Sequence, residues 1–476
     1  MTSSSPATSG PATSGGTTEP ARSVTWVVTT QDAPWQEQEP LGFGRMAGMP
    51  NVVVDVMNPR QTVDGIGGCF NELGWTALGL LSEGDREGIL ADLFTPGAGL
   101  NLSLCRMPVG ANDFSTDWYS YDEVDGDFDL EHFSIDHDRA TLVPFIQAAQ
   151  RYQGDLRLWA SPWSPPTWMK TNGHYAAARP WAGSDVDNGI RDDQLGAEGT
   201  DLFILEDRYL ETYARYFARF VEAYGEEGIR VEMVMPQNEF NSAQVFPSCV
   251  WTAEGLARFI AVLGPEMDRL GVRVFLGTQE RPHDAQIETV LRDPAAGPWV
   301  AGVGFQWAGK GAIAAVHHAH PDLALYQTEQ ECGDGRNDWR FVRHTWGLMR
   351  HFFTNGAQAY TYWNLALTEG GVSRWGWAQN SLVVVDPETR TFRYTNEYFL
   401  MRHLGHFLQP GAQRLATMSW TGHENLLAFR NPDGGVVLVM QNDLGEPLPV
   451  QIVVGDDVIT PTLPTDSFAT LVIPPA

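Results

Sequence analysis

The 476-residue chain reads as an α/β protein, a (β/α)8 TIM-type barrel with an accessory β-sandwich domain. Three observations lead there. Between about residues 62 and 368, short apolar strand-like runs alternate with longer amphipathic stretches, and eight such runs can be counted. Alternating strand and helix builds a parallel sheet, and eight repeats close it into a barrel. After about residue 394 the helical pattern mostly stops and strand-and-turn patterning takes over.

The eight runs are VDGIGG, LNLSLCRMP, LRLWASP, VEMVMPQ, VRVFLGT, VAGVGFQW, LALYQTE and AQAYTYWN. Between them lie segments with helical periodicity, the clearest at 211–225, 253–271 and 339–356, each ending in a glycine of the kind that closes a helix. In the C-terminal part, Pro432-Asp433-Gly434-Gly435 separates two apolar runs and predicts a hairpin. Residues 23–34 and 51–57 are rich in β-branched residues suited to strands. The expected organisation is a disordered Ser/Thr/Pro/Gly-rich leader at 1–22, N-terminal sandwich strands at 23–60, the barrel at 61–394 and the rest of the sandwich at 395–476.

Composition narrows the function. With 43% hydrophobic residues the chain can bury a large core. No run approaches the roughly 18 apolar residues of a membrane span. A formal charge of -28 disfavours contact with phosphate backbones, so no nucleic-acid partner is expected. Four widely spaced cysteines, Cys69, Cys105, Cys249 and Cys332, form neither a zinc knuckle nor a disulfide framework. His317, His318 and His320 fit a helix C-terminus better than a metal site, so no metal and no cofactor is expected. Residues 1–20 lack the apolar core of a secretory signal, which makes cytoplasmic residence the default expectation, with secretion left open. Seventeen tryptophans are a weak pointer to carbohydrate, because sugar rings present flat C–H faces to aromatic platforms. The oligomeric state is not legible.

Barrel enzymes carry their chemistry at the C-terminal ends of the strands. The fourth run ends in Asn238-Glu239 and the seventh in Glu329. Strands four and seven face each other across the mouth of an eight-strand ring. Two facing carboxylates are the apparatus of glycoside hydrolysis: one holds a proton for the leaving oxygen, the other stays ionised and attacks the anomeric carbon. Most of the 59 acidic residues are simply solvated, and spacing alone does not single these two out.

Local motifs add to the case. GIGGCFNE (65–72), RMPVGANDFS (106–115), ASPWSPPTWMKTNG (160–173), PQNEF (236–240), YQTEQECG (326–333), YWNLAL (362–367) and NSLVVVD (380–386) occur in this order. Together they resemble glycoside hydrolase family 30, the glucosylceramidase-like retaining β-glycosidases, from about residue 60 to 410. The resemblance implies a barrel with a side β-domain, Glu239 as acid/base and Glu329 as nucleophile. It also implies Arg106 beside the nucleophile, Asn238 before the acid/base, and Asp113, Trp163 and Trp363 as sugar contacts. Strand alternation puts Glu331 on the same face as Glu329; the cleaner match through LYQTE selects Glu329.

Two departures stand out. Where the family pattern has a histidine and, two residues on, an aromatic at the end of strand six, this chain has Gln306 and Ala308. Phe240 replaces the proline that usually follows the acid/base. The expected substrate is a β-linked glucoside or glucan, with β-1,6-glucanase or β-xylosidase activity as the alternative. The polar stretch 171–200, which follows strand three, reads equally as a specificity loop or an insertion.

Overall fold

The computed structural model describes Met1 and residues 22–475, so the leader reading at 1–22 falls almost wholly outside the described residues. Eight parallel strands form a closed barrel. In chain order they are β1 (Gly65–Cys69), β2 (Leu104–Pro108), β3 (Arg157–Ser161), β4 (Val231–Val234), β5 (Arg273–Gln279), β6 (Val300–Gln306), β7 (Ala324–Glu329) and β8 (Ala359–Asn364). Each coincides with one of the eight apolar runs.

The barrel interior below the site is a solid plug. Leu104, Trp159, Met233, Met235, Phe275 and Tyr326 point inward and pack together. Bulky residues fit because β6 is nearly bare on that side. A Cβ on Gly302 would lie 2.3 Å from the Phe275 ring, and one on Gly304 would lie 2.6 Å from the Thr328 methyl. The plug gives the mouth a rigid floor.

The outer helices bury one stripe each. Asp207–Glu226 buries Leu210, Tyr213, Ala214, Phe217 and Tyr224, a period of 3.6 that faces the sheet. Large side chains such as Leu210 and Phe217 each contribute about 1.5–3 kcal/mol by leaving water. This helix runs through Gly225, and the left-handed residue that follows it is Gly228, at φ +76°. The helices Ala253–Arg269 and Trp339–Thr354 are followed by Gly271 (φ +69°) and Gly356 (φ +93°). Their N-termini are capped by Thr252 and Asp338, whose side chains accept from Gly255 N and Phe341 N. The three histidines lie at the end of Ile313–Ala319, and His320 pairs with Glu288 at 2.6 Å.

The second body is one nine-stranded sheet folded over a core of its own. Strand Thr25–Thr30 pairs antiparallel with Ser467–Ile473, and Val52–Thr62 pairs with Gln413–Met418. The hairpin at 431–435 joins Leu426–Arg430 to Val436–Asn442. Both faces of the central strands are buried, in strict alternation. Leu426, Ala428, Leu438, Met440, Ala469 and Leu471 fill the sandwich core. Leu427, Phe429, Val437, Val439 and Phe468 join the barrel core instead. A period of two with both faces apolar is what a sheet needs when it covers a second layer. Helix Trp339–Thr354 is that layer: Trp339 and Trp346 pack edge-on against Phe468, and Phe353 against Phe429. A further helix, Asn396–Gly405, follows β8 and completes the eighth β/α unit, so barrel structure extends beyond residue 394.

Candidate active site

The eight residues singled out from sequence, Arg106, Asp113, Trp163, Asn238, Glu239, Gln306, Glu329 and Trp363, converge at the C-terminal mouth of the barrel. Arg106 is the hub and is fully buried. Its Nη1 donates to Glu329 Oε2 at 2.7 Å, and its Nη2 donates to Asn238 Oδ1 at 2.7 Å and Ser161 Oγ at 2.9 Å. Its guanidinium carbon lies 4.3 Å from the Trp163 ring centre and 5.4 Å from that of Trp363, and those two indoles stack on each other. A charge so deeply buried is tolerable because it is paired and its donors are engaged.

Gln306 sits between the two carboxylates. Its Nε2 lies 3.1 Å from Glu239 Oε1, 3.1 Å from Glu329 Oε2 and 3.1 Å from Asn238 Oδ1, two hydrogens shared among three acceptors. The two carboxylate oxygens therefore stand no further apart than the sum of two of those contacts.

The two carboxylates are held differently. Glu329 accepts from Arg106, Gln306 and Trp307 Nε1, the last at 2.8 Å. Among the described residues, Glu239 accepts only from the neutral amides of Gln306 and Gln244, the latter at 2.9 Å. Burial first, then repulsion from Glu329 and Glu280, raises the Glu239 pKa well above the carboxylate range. Burial raises Glu329 too, but less, because Arg106, Trp307 and Gln306 favour its charged form. Environment thus favours the proton on Glu239 over Glu329.

Asn238 accepts three hydrogen bonds at Oδ1, from Arg106, Thr278 and Gln306, which leaves its Nδ2 as the group to donate to a ligand. Asp113 is buried, and its Oδ1 has no hydrogen-bond partner among the described residues. Its pKa is raised well above the usual value by burial and by Glu329. An orphaned buried acceptor in a mouth of this kind suits a sugar hydroxyl. Glu239 and Trp307 both have left-handed backbones, at φ +49° and +46°, which is strained for residues carrying a Cβ. Glu239 is held there by its N–H to Thr278 Oγ1 (2.8 Å) and by Ser242 N–H donating to its carbonyl (2.9 Å).

The motif at 160–173 has a physical reason. Lys170 is buried, and its Nζ donates to Ser164 Oγ (3.0 Å), Tyr175 O (2.8 Å) and Ser248 O (2.8 Å), clamping the loop after β3 to the loop after β4. Burial lowers its pKa to about 8. The 171–200 segment is tied to the mouth as well. The N–H groups of Ala177 and Ala178 donate to Gln244 O, and Glu198 pairs with Arg281 at 2.7 Å.

Glu331 does not share the Glu329 face. β7 ends at Glu329 with a register shift after Gln327, so alternation no longer applies beyond it. Glu331 turns outward to Lys310 (2.6 Å) and His344 (3.0 Å). Sequence reasoning missed Trp307, Gln244 and Glu280. Glu280 had a signal, since it directly follows β5 as Glu239 and Glu329 follow or end their strands; it pairs with Arg281. Gln244 had none, because only the folding of its loop brings it to Glu239.

The chain is similar to known glycoside hydrolases over most of its length. The glycosyl hydrolase family 30 TIM-barrel domain matches residues 63–408, and the family 30 beta sandwich domain matches 411–471. Putative glucosylceramidase 1 of Caenorhabditis elegans is 28% identical over 83% of this chain and 76% of its own length. Endo-1,6-beta-D-glucanase of Neurospora crassa is 26% identical over 92% of this chain and 86% of its own. The solved endo-beta1,6-glucanase BT3312 has the same fold, with a TM-score of 0.80 at 22% identity, over 95% of this chain and 99% of that one. With a family model spanning its barrel and another its sandwich, this chain belongs to glycosyl hydrolase family 30 and is a glycoside hydrolase.

Proposed function

We propose that the protein is a retaining β-glucosidase that prefers soluble β-glucosides or β-glucans to glucosylceramide. The observation that carries the mechanism is the single amide of Gln306 reaching both Glu239 and Glu329, with Arg106 on Glu329 alone. In the first step a Glu329 oxygen attacks the anomeric carbon, the glycosidic C–O bond breaks, and Glu239 gives its proton to the leaving oxygen. In the second, a water takes the leaving group's place and surrenders a proton to Glu239. Its oxygen bonds to the anomeric carbon as the Glu329 ester breaks, restoring the starting configuration.

The preference for soluble substrates rests on strand six. Gln306 keeps a hydrogen-bonding group where the resembling pattern has an imidazole, but Ala308 is exposed and offers no stacking surface. Losing an aromatic there widens the entrance and removes apolar area a lipid chain would cover. The names of the two relatives stand on either side of this choice. A panel of nitrophenyl β-glucoside, β-xyloside, β-galactoside, β-fucoside and β-glucuronide, run beside β-1,6-glucan and glucosylceramide, tests it. The β-glucoside and glucan are expected to be cleaved fastest. Faster cleavage of glucosylceramide than of every soluble glucoside, or a β-xyloside preference, overturns the assignment.

A further inference from the structure

Beside Glu329 lies a cavity of about 370 Å3 that none of the eight predicted residues lines. Its aromatic side is Trp307, Trp377 and Phe341, and its polar side is Glu331, Arg340 and His344. Trp307 joins it to the reaction centre, because its Nε1 is engaged with Glu329 at 2.8 Å and only its ring face is left for a ligand. Trp377 stands 6.3 Å from Trp307, centre to centre. Trp181, on the 171–200 segment, stands 6.4 Å beyond Trp377 and is 50% exposed. Three indoles thus lead from the Glu329 carboxylate to the surface, each contributed by a different loop of the mouth.

We propose that this cavity is a second sugar subsite, which binds a further β-linked ring of the substrate, and that Trp181 extends it outward. The inference rests on the β-glucosidase reading above and names the substrate class for it: an oligosaccharide rather than a lipid-linked glucoside. The mixture of surfaces decides between those occupants. Aromatic faces suit the C–H face of a sugar or an alkyl chain alike. The opposite side does not: Glu331 is ion-paired to Lys310 and hydrogen-bonded to His344, and covering that charged pair with hydrocarbon would cost its hydration with nothing in return. Sugar hydroxyls can accept from and donate to the same groups. Trp181 sits on a segment tethered to the mouth by Asn188, Ala177 and Ala178, so its exposed ring is held beside the cavity rather than free to swing away.

The test compares four substrates on the wild type, Trp377→Ala, Trp181→Ala and Glu331→Gln. β-Glucosyl fluoride has no second ring, a β-1,6-linked glucose disaccharide and trisaccharide have one and two more, and octyl β-glucoside has an alkyl chain. The readout is the ratio of each kcat/KM to that for the fluoride in the same variant, which cancels any general loss of active protein. In Trp377→Ala the disaccharide and trisaccharide ratios are expected to fall about tenfold or more. In Glu331→Gln both fall by less. In Trp181→Ala, a change at an exposed position, the trisaccharide ratio falls and the disaccharide ratio holds. If all ratios hold while fluoride is turned over, the subsite is refuted and the glucosidase reading stands. If only the octyl ratio falls, the occupant is an alkyl chain and the proposal is wrong. If the wild type does not cleave the fluoride at all, the glucosidase reading fails and takes the subsite with it.

Discussion

The mouth of the barrel and the seam between barrel and sandwich both bury ionisable side chains, and they treat them in opposite ways. At the seam, His403 lies between Thr470 Oγ1 and Thr29 Oγ1, 2.8 Å from each. Thr470 commits its hydroxyl hydrogen to His403 O, so Nδ1 is the donor to Thr470 and Nε2 accepts from Thr29. Burial drives the His403 pKa down to about 3. Nearby Glu397 accepts from Thr345 and Asn380. At the mouth, Asp113 keeps an oxygen unpartnered, and four carboxylates, Asp113, Glu239, Glu280 and Glu329, repel one another. The seam is closed chemistry. The mouth is open, and its unsatisfied atoms raise the energy of the free protein in readiness for a substrate.

The largest effect should follow from removing either carboxylate. Glu329→Ala is expected to lose on the order of 10⁴-fold or more in turnover, and Glu239→Ala on the order of 10²–10⁴-fold. Added azide separates the two: it should give an α-glycosyl azide from Glu329→Ala and a β-glycosyl azide from Glu239→Ala with an activated leaving group. The same anomer from both variants would sink the assignment. In the wild type, activity needs Glu329 ionised and Glu239 protonated. Both pKa values are raised, so the bell-shaped profile should lie above the ordinary carboxylate range, and Glu239→Ala should lose the alkaline limb.

The seam should answer in stability. His403→Ala leaves two buried threonine hydroxyls without their partner and opens a cavity, at a cost of about 2–4 kcal/mol in denaturant melts, with kcat unchanged where the protein remains folded. The folded pKa of His403 is depressed from about 6.5, so its neutral form contributes stability that is complete above that pH and is lost progressively as pH falls towards 3. His403→Gln should flatten that acid slope relative to wild type. An unchanged slope would remove His403 from the account.

The smallest effect is the sharpest for the comparison. Asp113→Asn keeps the shape and relieves repulsion with Glu329, so it should stabilise the protein by about 1 kcal/mol while lowering kcat/KM by about tenfold or more. A loss of both stability and activity would mean that Asp113 is a structural carboxylate like Glu397.

Much of this was legible before folding, for identifiable reasons. All eight barrel strands are apolar runs because the barrel buries them on both sides, and the two carboxylates stand at or just past strand ends, where a reader of barrels looks. The helix-closing glycine at 225 was misread because Gly228, three residues on, takes the left-handed conformation instead. The helix Asn396–Gly405 was hidden by weak amphipathicity: it is buried on several sides, between β1, Trp339–Thr354 and the sandwich. Alternation put Glu331 on the face of Glu329, although the match through LYQTE selected Glu329; it leaves that face because the strand ends between them. Gln244 and Trp307 reach the carboxylates only through loop geometry, which no periodicity encodes.

The pairing of Thr25–Thr30 with Ser467–Ile473 has a consequence in time. A ribosome adding roughly 5–20 residues per second needs roughly 20–90 seconds to travel from one strand to the other. For that interval the earlier strand is a bare edge, and so is Val52–Thr62 until its partner at Gln413–Met418 emerges. The barrel, whose neighbours in space are mostly neighbours in sequence, can close while the sandwich still waits. The nascent chain is therefore most exposed to misassociation late in synthesis, and through the sheet rather than the barrel. Moving the strand Thr25–Thr30 to follow Ser467–Ile473 through a short linker would abolish that strand's wait, leaving Val52–Thr62 as the edge still exposed.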